Sequence, residues 1–157
     1  MMIISQKELA IIDQAKKIMK KYIQVGKKIS TIDHIKDYFI FHLGLYDYEA
    51  FCVLYLNSQN RIIALEELFR GTINESSVYP REIVKQVLYY QATAIILVHN
   101  HPSGDKEPSL LDILLTSKIK NALALIDVVV LDHLIVARDN VISIKENTKY
   151  NSMNLFN

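Results

Sequence analysis

The stretch ATAIILVHNHPSGDKEPSLLD, residues 92–112, carries the strongest structural signal in this chain. Its apolar run over 92–98 predicts a central strand that is buried on both faces. The strand leads into His99 and His101, whose side chains point to the same side because strand side chains alternate with a period of two residues. A loop over 102–108 follows, and a helix is predicted from Ser109 to about residue 125.

Two imidazoles and a carboxylate form a ligand set that suits a divalent cation. His99, His101 and Asp112 would give zinc three ligands and leave a fourth position open, as in catalytic rather than structural zinc sites. Ser109 and Asp112 also match a capping box at a helix start, an interpretation that is compatible with metal binding by Asp112. Functional crevices of α/β sheets lie at the carboxyl ends of strands, which favours the metal site.

The sequence before this stretch predicts helices followed by a β-hairpin. Ser5 and Glu8 form a capping-box pattern at the start of a first helix. Thr31 is expected to cap a second, shorter helix. The period then changes to that of strands, and 51–56 and 61–69 are predicted to pair as a hairpin.

A third helix and further strands complete the predicted elements. Pro80 fits the first position of a helix, because its missing N–H costs nothing there. The expected buried stripe of that helix consists of Ile83, Val84, Val87 and Leu88. Beyond the helix that begins at Ser109, strands are predicted over 128–131, 134–137 and 141–144. Together these elements predict one mixed α/β domain.

Along the chain we expect three segments. A helical N-terminal segment covers 1–45, the mixed α/β domain covers 46–146, and an Asn-rich tail over 147–157 is expected to be flexible. The histidine pair and the residues around it all belong to the second segment.

Composition limits the classes of partner. The 157 residues include 18 basic and 17 acidic side chains, a net charge of +1, which gives no electrostatic basis for direct nucleic-acid binding. Cys52 is the single cysteine, so an internal disulfide and a cysteine-based zinc site are excluded. The sequence shows neither a signal-peptide pattern nor an apolar stretch of membrane-spanning length, and a cytoplasmic protein is therefore expected.

The histidine stretch resembles a known signature. His99-x-His101-Pro102, followed by Ser109 and Asp112, is similar to the JAMM motif of the JAB/MPN metalloprotease superfamily. Further segments resemble the RadC branch of that superfamily in order and spacing, over roughly residues 45–145: Asn60-Arg61, Phe69-Arg70-Gly71-Thr72, Val78-Tyr79-Pro80-Arg81-Glu82, His99-Asn100-His101-Pro102-Ser103-Gly104-Asp105 and Leu131-Asp132-His133-Leu134-Ile135-Val136. Agreement of several independent segments makes the resemblance specific.

The resemblance implies both a fold and a function. The fold would be mixed α/β, of the JAB/MPN and cytidine-deaminase type, with a central mixed β-sheet flanked by helices. The function would be that of a zinc metallopeptidase or isopeptidase acting on a peptide or protein, with Zn²⁺ held by His99, His101 and Asp112. Ser109 would help to stabilise the oxyanion, and Glu49 matches the place of the upstream glutamate that activates the water.

Two assignments stay open in the sequence. Other glutamates are alternatives to Glu49: Glu66, Glu67 and Glu75. His133 beside Asp132 is interpreted as structural, and support of a metal ligand is its alternative role. The remaining histidines are interpreted as surface or packing residues: His34 and His42.

Other classes of function are alternatives to the hydrolase. A DNA-repair-associated factor is one, because the RadC name carries that historical link, although the first 45 residues do not resemble the helix-hairpin-helix module that members often carry. A metal-dependent nuclease is another, but the letters HNH denote dispersed residues in that family rather than a continuous stretch. Some MPN domains are non-catalytic protein-interaction modules, and the complete ligand set argues against that interpretation here.

Overall fold

The computed structural model of the protein describes residues 4–71, 78–151 and 155–156. The elements follow one another as α1 (Gln6–Met19), a short 3-10 helix (Lys20–Ile23), α2 (Asp33–Leu43), β1 (Ala50–Leu56), β2 (Ile62–Arg70), α3 (Pro80–Tyr90), β3 (Ala94–Asn100), α4 (Leu110–Ala124), β4 (Val129–Ala137), β5 (Asn140–Ser143) and α5 (Thr148–Asn151).

The strands of the described residues form one five-stranded mixed sheet in the order β2-β1-β3-β4-β5. β1 pairs antiparallel with both β2 and β3, and β4 pairs antiparallel with β5. β3 and β4 pair in parallel, with α4 as the connection between them. Parallel neighbours need such a crossover, and it returns the chain from the end of β3 across one face of the sheet.

Helices cover both faces of this sheet, and each face has its own apolar core. On one face, α2 contributes Ile35, Phe39 and Leu43, all fully buried, to a cluster that includes side chains of β1, β3 and β4. On the other face, α3 and α4 contribute buried residues such as Ile83 and Ile119. The fold is therefore mixed α/β with a central mixed sheet flanked by helices, as predicted.

Helix α2 lies within the 1–45 segment and yet packs directly against the sheet of residues 46–146. Its C-terminal end approaches the turn between β4 and β5 so closely that a Cβ added at Gly44 would lie 2.2 Å from the Arg138 carbonyl oxygen. Only glycine fits a contact of this kind without displacement of the backbone. By contrast, no residue of α1 is buried, although its predicted capping box between Ser5 and Glu8 is present.

Two predictions about individual helix residues are wrong. Thr31 does not cap α2: the N-cap is Ile32, without a side-chain capping bond, and the carbonyl of Thr31 accepts the N–H of His34 at 3.3 Å. Leu88 is not part of the buried stripe of α3, since 58% of it is exposed. The buried stripe of α3 therefore includes fewer residues than its apolar pattern predicts.

The two strands predicted over 128–131 and 134–137 are a single strand, β4. The polar pair Asp132-His133 interrupts the apolar pattern but not the strand, and both side chains are buried. Asp132 is accommodated because its carboxylate accepts hydrogen bonds from the Ser143 hydroxyl at 2.5 Å and from the backbone N–H groups of His133 and Lys145. Buried polar groups are tolerated where they have such partners.

The described part of the 147–157 segment includes the short helix α5. Tyr150 and Leu155 are buried, at 7% and 6% exposure, in a cluster with Ile113, Ile135 and Ile144. Among the described residues, no helix combines the length and the apolar character needed to cross a membrane.

Candidate metal centre

The fold brings together the three residues that the sequence predicts as metal ligands. His99 is the second-last residue of β3, and His101 follows directly after the strand. Asp112 lies in the first turn of α4. The Nε2 atom of His99 is 3.2 Å from one carboxylate oxygen of Asp112, and Nε2 of His101 is 3.3 Å from the other. The two Nε2 atoms are 3.0 Å apart.

The loop after β3 orients His101 through a tight turn. Gly104 has a φ of +83°, a conformation that glycine adopts without strain, and its N–H donates to the His101 carbonyl at 2.9 Å. The turn brings the carbonyl of Asp105 within 2.9 Å of Nδ1 of His101. Because a carbonyl only accepts, Nδ1 of His101 carries the proton and Nε2 keeps its lone pair.

Asp112 is held by the start of its own helix. The Ser109 N–H donates to a carboxylate oxygen of Asp112 at 2.7 Å, and the Ser109 hydroxyl accepts the Asp112 N–H at 3.1 Å, which is the predicted capping box. Burial alone would raise the pKa of Asp112, but the adjacent imidazoles of His101 and His99 hold it far below its ordinary value. The carboxyl group is therefore ionised and points at the two imidazoles.

The cluster has the composition that a cation requires. With one ligand atom from each of His99, His101 and Asp112, all three atoms lie within 4.8 Å of one another. Tetrahedral zinc with bonds of about 2.0–2.1 Å holds its ligand atoms about 3.3 Å apart. The two nitrogens lie 3.2 and 3.3 Å from different carboxylate oxygens of Asp112 and 3.0 Å from each other, so the three groups are close enough to share one ion. Lone pairs that converge on one point repel one another until a proton or a metal ion is shared between them.

The cluster is covered by an aromatic ring on one side and reaches the protein surface on the other. The Phe51 ring stacks on His99, with an angle of 13° between the planes and 6.0 Å between the centroids. His99 has no exposed side-chain surface, whereas 12% of the His101 side chain is exposed. Ser109 is exposed. The cluster thus combines a fully buried inner histidine with a second histidine and a serine that reach the surface.

Glu49 precedes β1 and lies close enough to influence His101. Burial by itself would lower the pKa of His101, but the Asp112 carboxylate and the Asp105 carbonyl beside its ring nitrogens outweigh this effect and raise it. The negative charge of Glu49 contributes to the same increase. Because Phe51 pairs with His99 across the β1–β3 ladder, the residue two positions before Phe51 comes near the end of β3.

The backbone around Glu49 is fixed by Asn100, a residue that the sequence did not single out for a role. The Asn100 side-chain oxygen accepts the Ala50 N–H at 2.7 Å, and its amide nitrogen donates to the Tyr48 carbonyl at 2.9 Å. The carbonyl of Glu49 itself accepts the Gly71 N–H at 2.9 Å. Asn100 therefore clamps the peptide groups on both sides of Glu49 to the strand that carries the histidines.

We expect Asn100→Ala to reduce the free energy of unfolding by about 1–3 kcal/mol, because it leaves the buried N–H of Ala50 without its acceptor. Urea denaturation followed by circular dichroism measures the change. Asn140→Ala is the matched control, since the Asn140 side chain bonds to Asp139 at the surface; its expected effect is within about 0.5 kcal/mol. Equal stability of the two variants would show that the clamp is dispensable.

The alternative glutamates are engaged elsewhere or lie outside the described residues. The carboxylate of Glu66 accepts a hydrogen bond from the Tyr90 hydroxyl at 2.6 Å, at the middle of the β1–β2 ladder. Glu67 forms an ion pair with Arg70. Glu75 falls in residues 72–77, outside the described ranges. Of the three candidate glutamates that fall within the described residues, Glu49 has the position that agrees best with a role beside the histidines.

The structure separates the neighbours Asp132 and His133. Asp132 faces away from the cluster toward Ser143, whereas Nε2 of His133 is 2.8 Å from Nδ1 of His99 and its Nδ1 is 2.6 Å from the Thr116 hydroxyl. Complete burial lowers the pKa of His133 well below its ordinary value. The alternative of support for a metal ligand therefore fits His133 better than a purely structural role, and Thr116 is a partner that the sequence pattern did not indicate.

The histidines of the N-terminal segment lie on α2, away from this cluster. His34 is exposed, and the ring of His42 stacks on Tyr38 with 5.3 Å between the centroids. Burial lowers the pKa of His42. Their placement agrees with the predicted surface and packing roles.

Comparison with known proteins identifies relatives that match most of the chain. A UPF0758 protein of Thiobacillus denitrificans is 47% identical over 137 residues, which cover 87% of this chain and 61% of that protein. A UPF0758 protein of Janthinobacterium sp. is 49% identical over 137 residues with the same coverage, and one of Ralstonia pickettii is 43% identical over 140 residues. The chain thus spans about 61% of the length of curated relatives that it matches.

The family model described as a RadC-like JAB domain matches residues 29–150. This range contains every residue of the histidine–aspartate cluster, Glu49 with the strand that follows it, and helix α2. Agreement of the sequence segments, the mixed sheet and the family match leads to one conclusion: the chain belongs to the RadC-like JAB domain family.

Proposed function

We propose that this protein is a zinc-dependent hydrolase of amide bonds, a metallopeptidase or isopeptidase whose substrate is a peptide or protein. The observation that carries the proposal is the convergence of His99, His101 and Asp112 at the end of β3. Membership of the RadC-like JAB family supports it as well. A net charge of +1 favours a protein over a nucleic acid as substrate.

His99, His101 and Asp112 would hold the zinc ion, with two neutral nitrogens and one charged oxygen. This set leaves the ion with a net positive charge and an open position, which are the features of a catalytic site. An ion held there would supply Lewis acidity, which lowers the pKa of a bound water from about 16 to roughly 7 in such sites and polarises a carbonyl group. Thiolate ligands would donate more negative charge, and the cluster has none.

Glu49 would act as the general base and then as the general acid. In its ionised form the carboxylate takes a proton from the attacking water and later delivers it to the nitrogen of the leaving amine. Positioned proton transfer of this kind contributes about 10²–10⁴-fold to a rate. The bonds made by Asn100 and the Gly71 N–H support this role, because they fix the backbone from which Glu49 extends.

The Ser109 hydroxyl would donate a hydrogen bond to the oxyanion that develops on the carbonyl oxygen of the substrate. Its oxygen accepts the Asp112 N–H, and a hydroxyl that accepts one hydrogen bond can still donate another. The capping bond fixes the position of the oxygen at the rim of the cluster. Loss of one oxyanion donor commonly costs about 10²–10³-fold in rate.

A panel of peptides and isopeptide-linked conjugates tests the proposed function. We expect cleavage of at least one amide bond by the zinc-loaded protein, loss of cleavage after removal of zinc with a chelator, and recovery when zinc is added back. Fluorescence release or mass spectrometry of the products measures it. Stoichiometric zinc without cleavage of any conjugate would instead favour a non-catalytic interaction module.

A further inference from the structure

Behind His99 lies a chain of three buried hydrogen bonds that the proposed reaction does not use. Nδ1 of His99 is 2.8 Å from Nε2 of His133, and Nδ1 of His133 is 2.6 Å from the Thr116 hydroxyl. The Thr116 hydroxyl is 2.6 Å from the backbone carbonyl of Asp112. His99, His133 and Thr116 have no exposed surface.

The direction of every bond follows from the carbonyl at one end. Because the Asp112 carbonyl can only accept, the single hydroxyl proton of Thr116 is donated to it. The Thr116 oxygen must then accept the proton of Nδ1 on His133. A neutral imidazole has one donor and one acceptor, so Nε2 of His133 accepts from Nδ1 of His99. Nε2 of His99 is left with the lone pair that faces Asp112.

We propose that His133 and Thr116 are positioning residues that hold His99 in its metal-binding tautomer and couple it to the helix that carries Asp112. The inference rests on the proposed metal site and adds two residues to it. Neither side chain touches the metal or the substrate. They act through His99, whose ring orientation and proton position they determine.

The chain of bonds closes into a ring that contains two of the three ligands. It runs from His99 through His133 and Thr116 to the backbone of Asp112, and the Asp112 carboxylate returns to Nε2 of His99 at 3.2 Å. Rotation of the His99 ring would break its bond to His133 and turn Nε2 away from the Asp112 carboxylate. The Phe51 ring, stacked on His99 and edge-on to His133, covers both imidazoles. Because these side chains are fully buried, a broken hydrogen bond among them is costly.

Two substitutions at Thr116 separate positioning from packing. Thr116→Val keeps the shape but removes the hydroxyl, whereas Thr116→Ser keeps the hydroxyl and removes a methyl group. We expect Thr116→Val to bind zinc 10–100-fold more weakly than the wild type in competition with a chromophoric chelator. Thr116→Ser should stay within about threefold of the wild type, because it keeps both bonds. Co²⁺ substituted for zinc should show altered visible absorption in Thr116→Val only.

Ser143→Ala is the matched control for loss of a buried hydroxyl. Ser143 is 5% exposed and donates to Asp132, which faces away from the metal cluster. We expect this variant to lose stability without a change in zinc affinity. Equal zinc affinity and an unchanged Co²⁺ spectrum in Thr116→Val would overturn the positioning role, even if Thr116→Val melts at a lower temperature.

A second measurement needs no variant. Long-range ¹H–¹⁵N NMR of the wild-type imidazoles reports which nitrogen is protonated, and we expect Nδ1–H for both His99 and His133 in the zinc-loaded protein. A proton on Nε2 of His133 would overturn the proposed positioning role. If the wild type bound no zinc, the proposed function would fail. Tight zinc binding with the other tautomer would refute the positioning role alone.

Discussion

The purified chain is expected to bind about one zinc ion per molecule, and His99→Ala/His101→Ala is expected to bind none. Removal of both imidazoles leaves Asp112 as a single ligand, and one carboxylate does not hold zinc against water. Elemental analysis after dialysis measures the metal content. Affinity should also fall as the pH is lowered, because protons compete with the metal for the histidine nitrogens.

Two further variants make the zinc experiment decisive. His101→Ala removes the ligand that is partly exposed, so it should abolish tight binding with a smaller loss of packing than the double variant. His34→Ala removes an exposed imidazole on α2 and should leave the zinc content unchanged. Circular dichroism checks that each variant is folded. Undiminished zinc in folded His99→Ala/His101→Ala would locate the metal elsewhere in the chain.

The elements that the sequence predicted well are those with a local cause. The capping boxes of α1 and α4 depend on residues three positions apart, and the buried strand β3 depends on an uninterrupted apolar run. The histidine–aspartate cluster also has a nearly local cause, because His99, His101 and Asp112 lie within one strand–loop–helix unit. A short Pro/Gly-containing loop leaves the helix start few places to go except back toward the strand end.

The features that the sequence did not reveal depend on long-range register. Asn100 bonds to Ala50 across 50 positions, and His133 bonds to His99 across 34. These contacts depend on which strands are neighbours in the sheet and on which residues lie opposite one another. The apolar pattern gives the faces of a strand but not its neighbours.

Buried polar residues explain the wrong division of β4. Asp132 and His133 are read from the pattern as a break between two strands, because unpartnered polar groups are costly inside a protein. Ser143 and Thr116 supply the partners from other elements and allow the strand to continue. The same effect makes His133 informative, since a buried histidine with two specific partners has a defined proton position.

Glu49→Gln is expected to lower the rate of amide hydrolysis by about 10²–10⁴-fold while the zinc content stays at that of the wild type. Glutamine has the size of glutamate but cannot take a proton from water. The kcat on whichever conjugate the wild type cleaves measures the loss, and elemental analysis measures the metal. Because the substitution leaves the Asn100 clamp in place, the loss should appear in kcat more than in KM.

The same assay on the other glutamates decides between Glu49 and its alternatives. Glu66→Gln keeps an acceptor for the Tyr90 hydroxyl and Glu67→Gln removes an ion pair with Arg70 at the edge strand, so both should retain near wild-type kcat. Glu75→Gln completes the set. A large loss of kcat in one of these variants, with normal turnover in Glu49→Gln, would transfer the proton-carrying role to that residue. Loss of zinc in Glu49→Gln would mean that the carboxylate holds the metal, and the catalytic base would then have to come from another part of the chain.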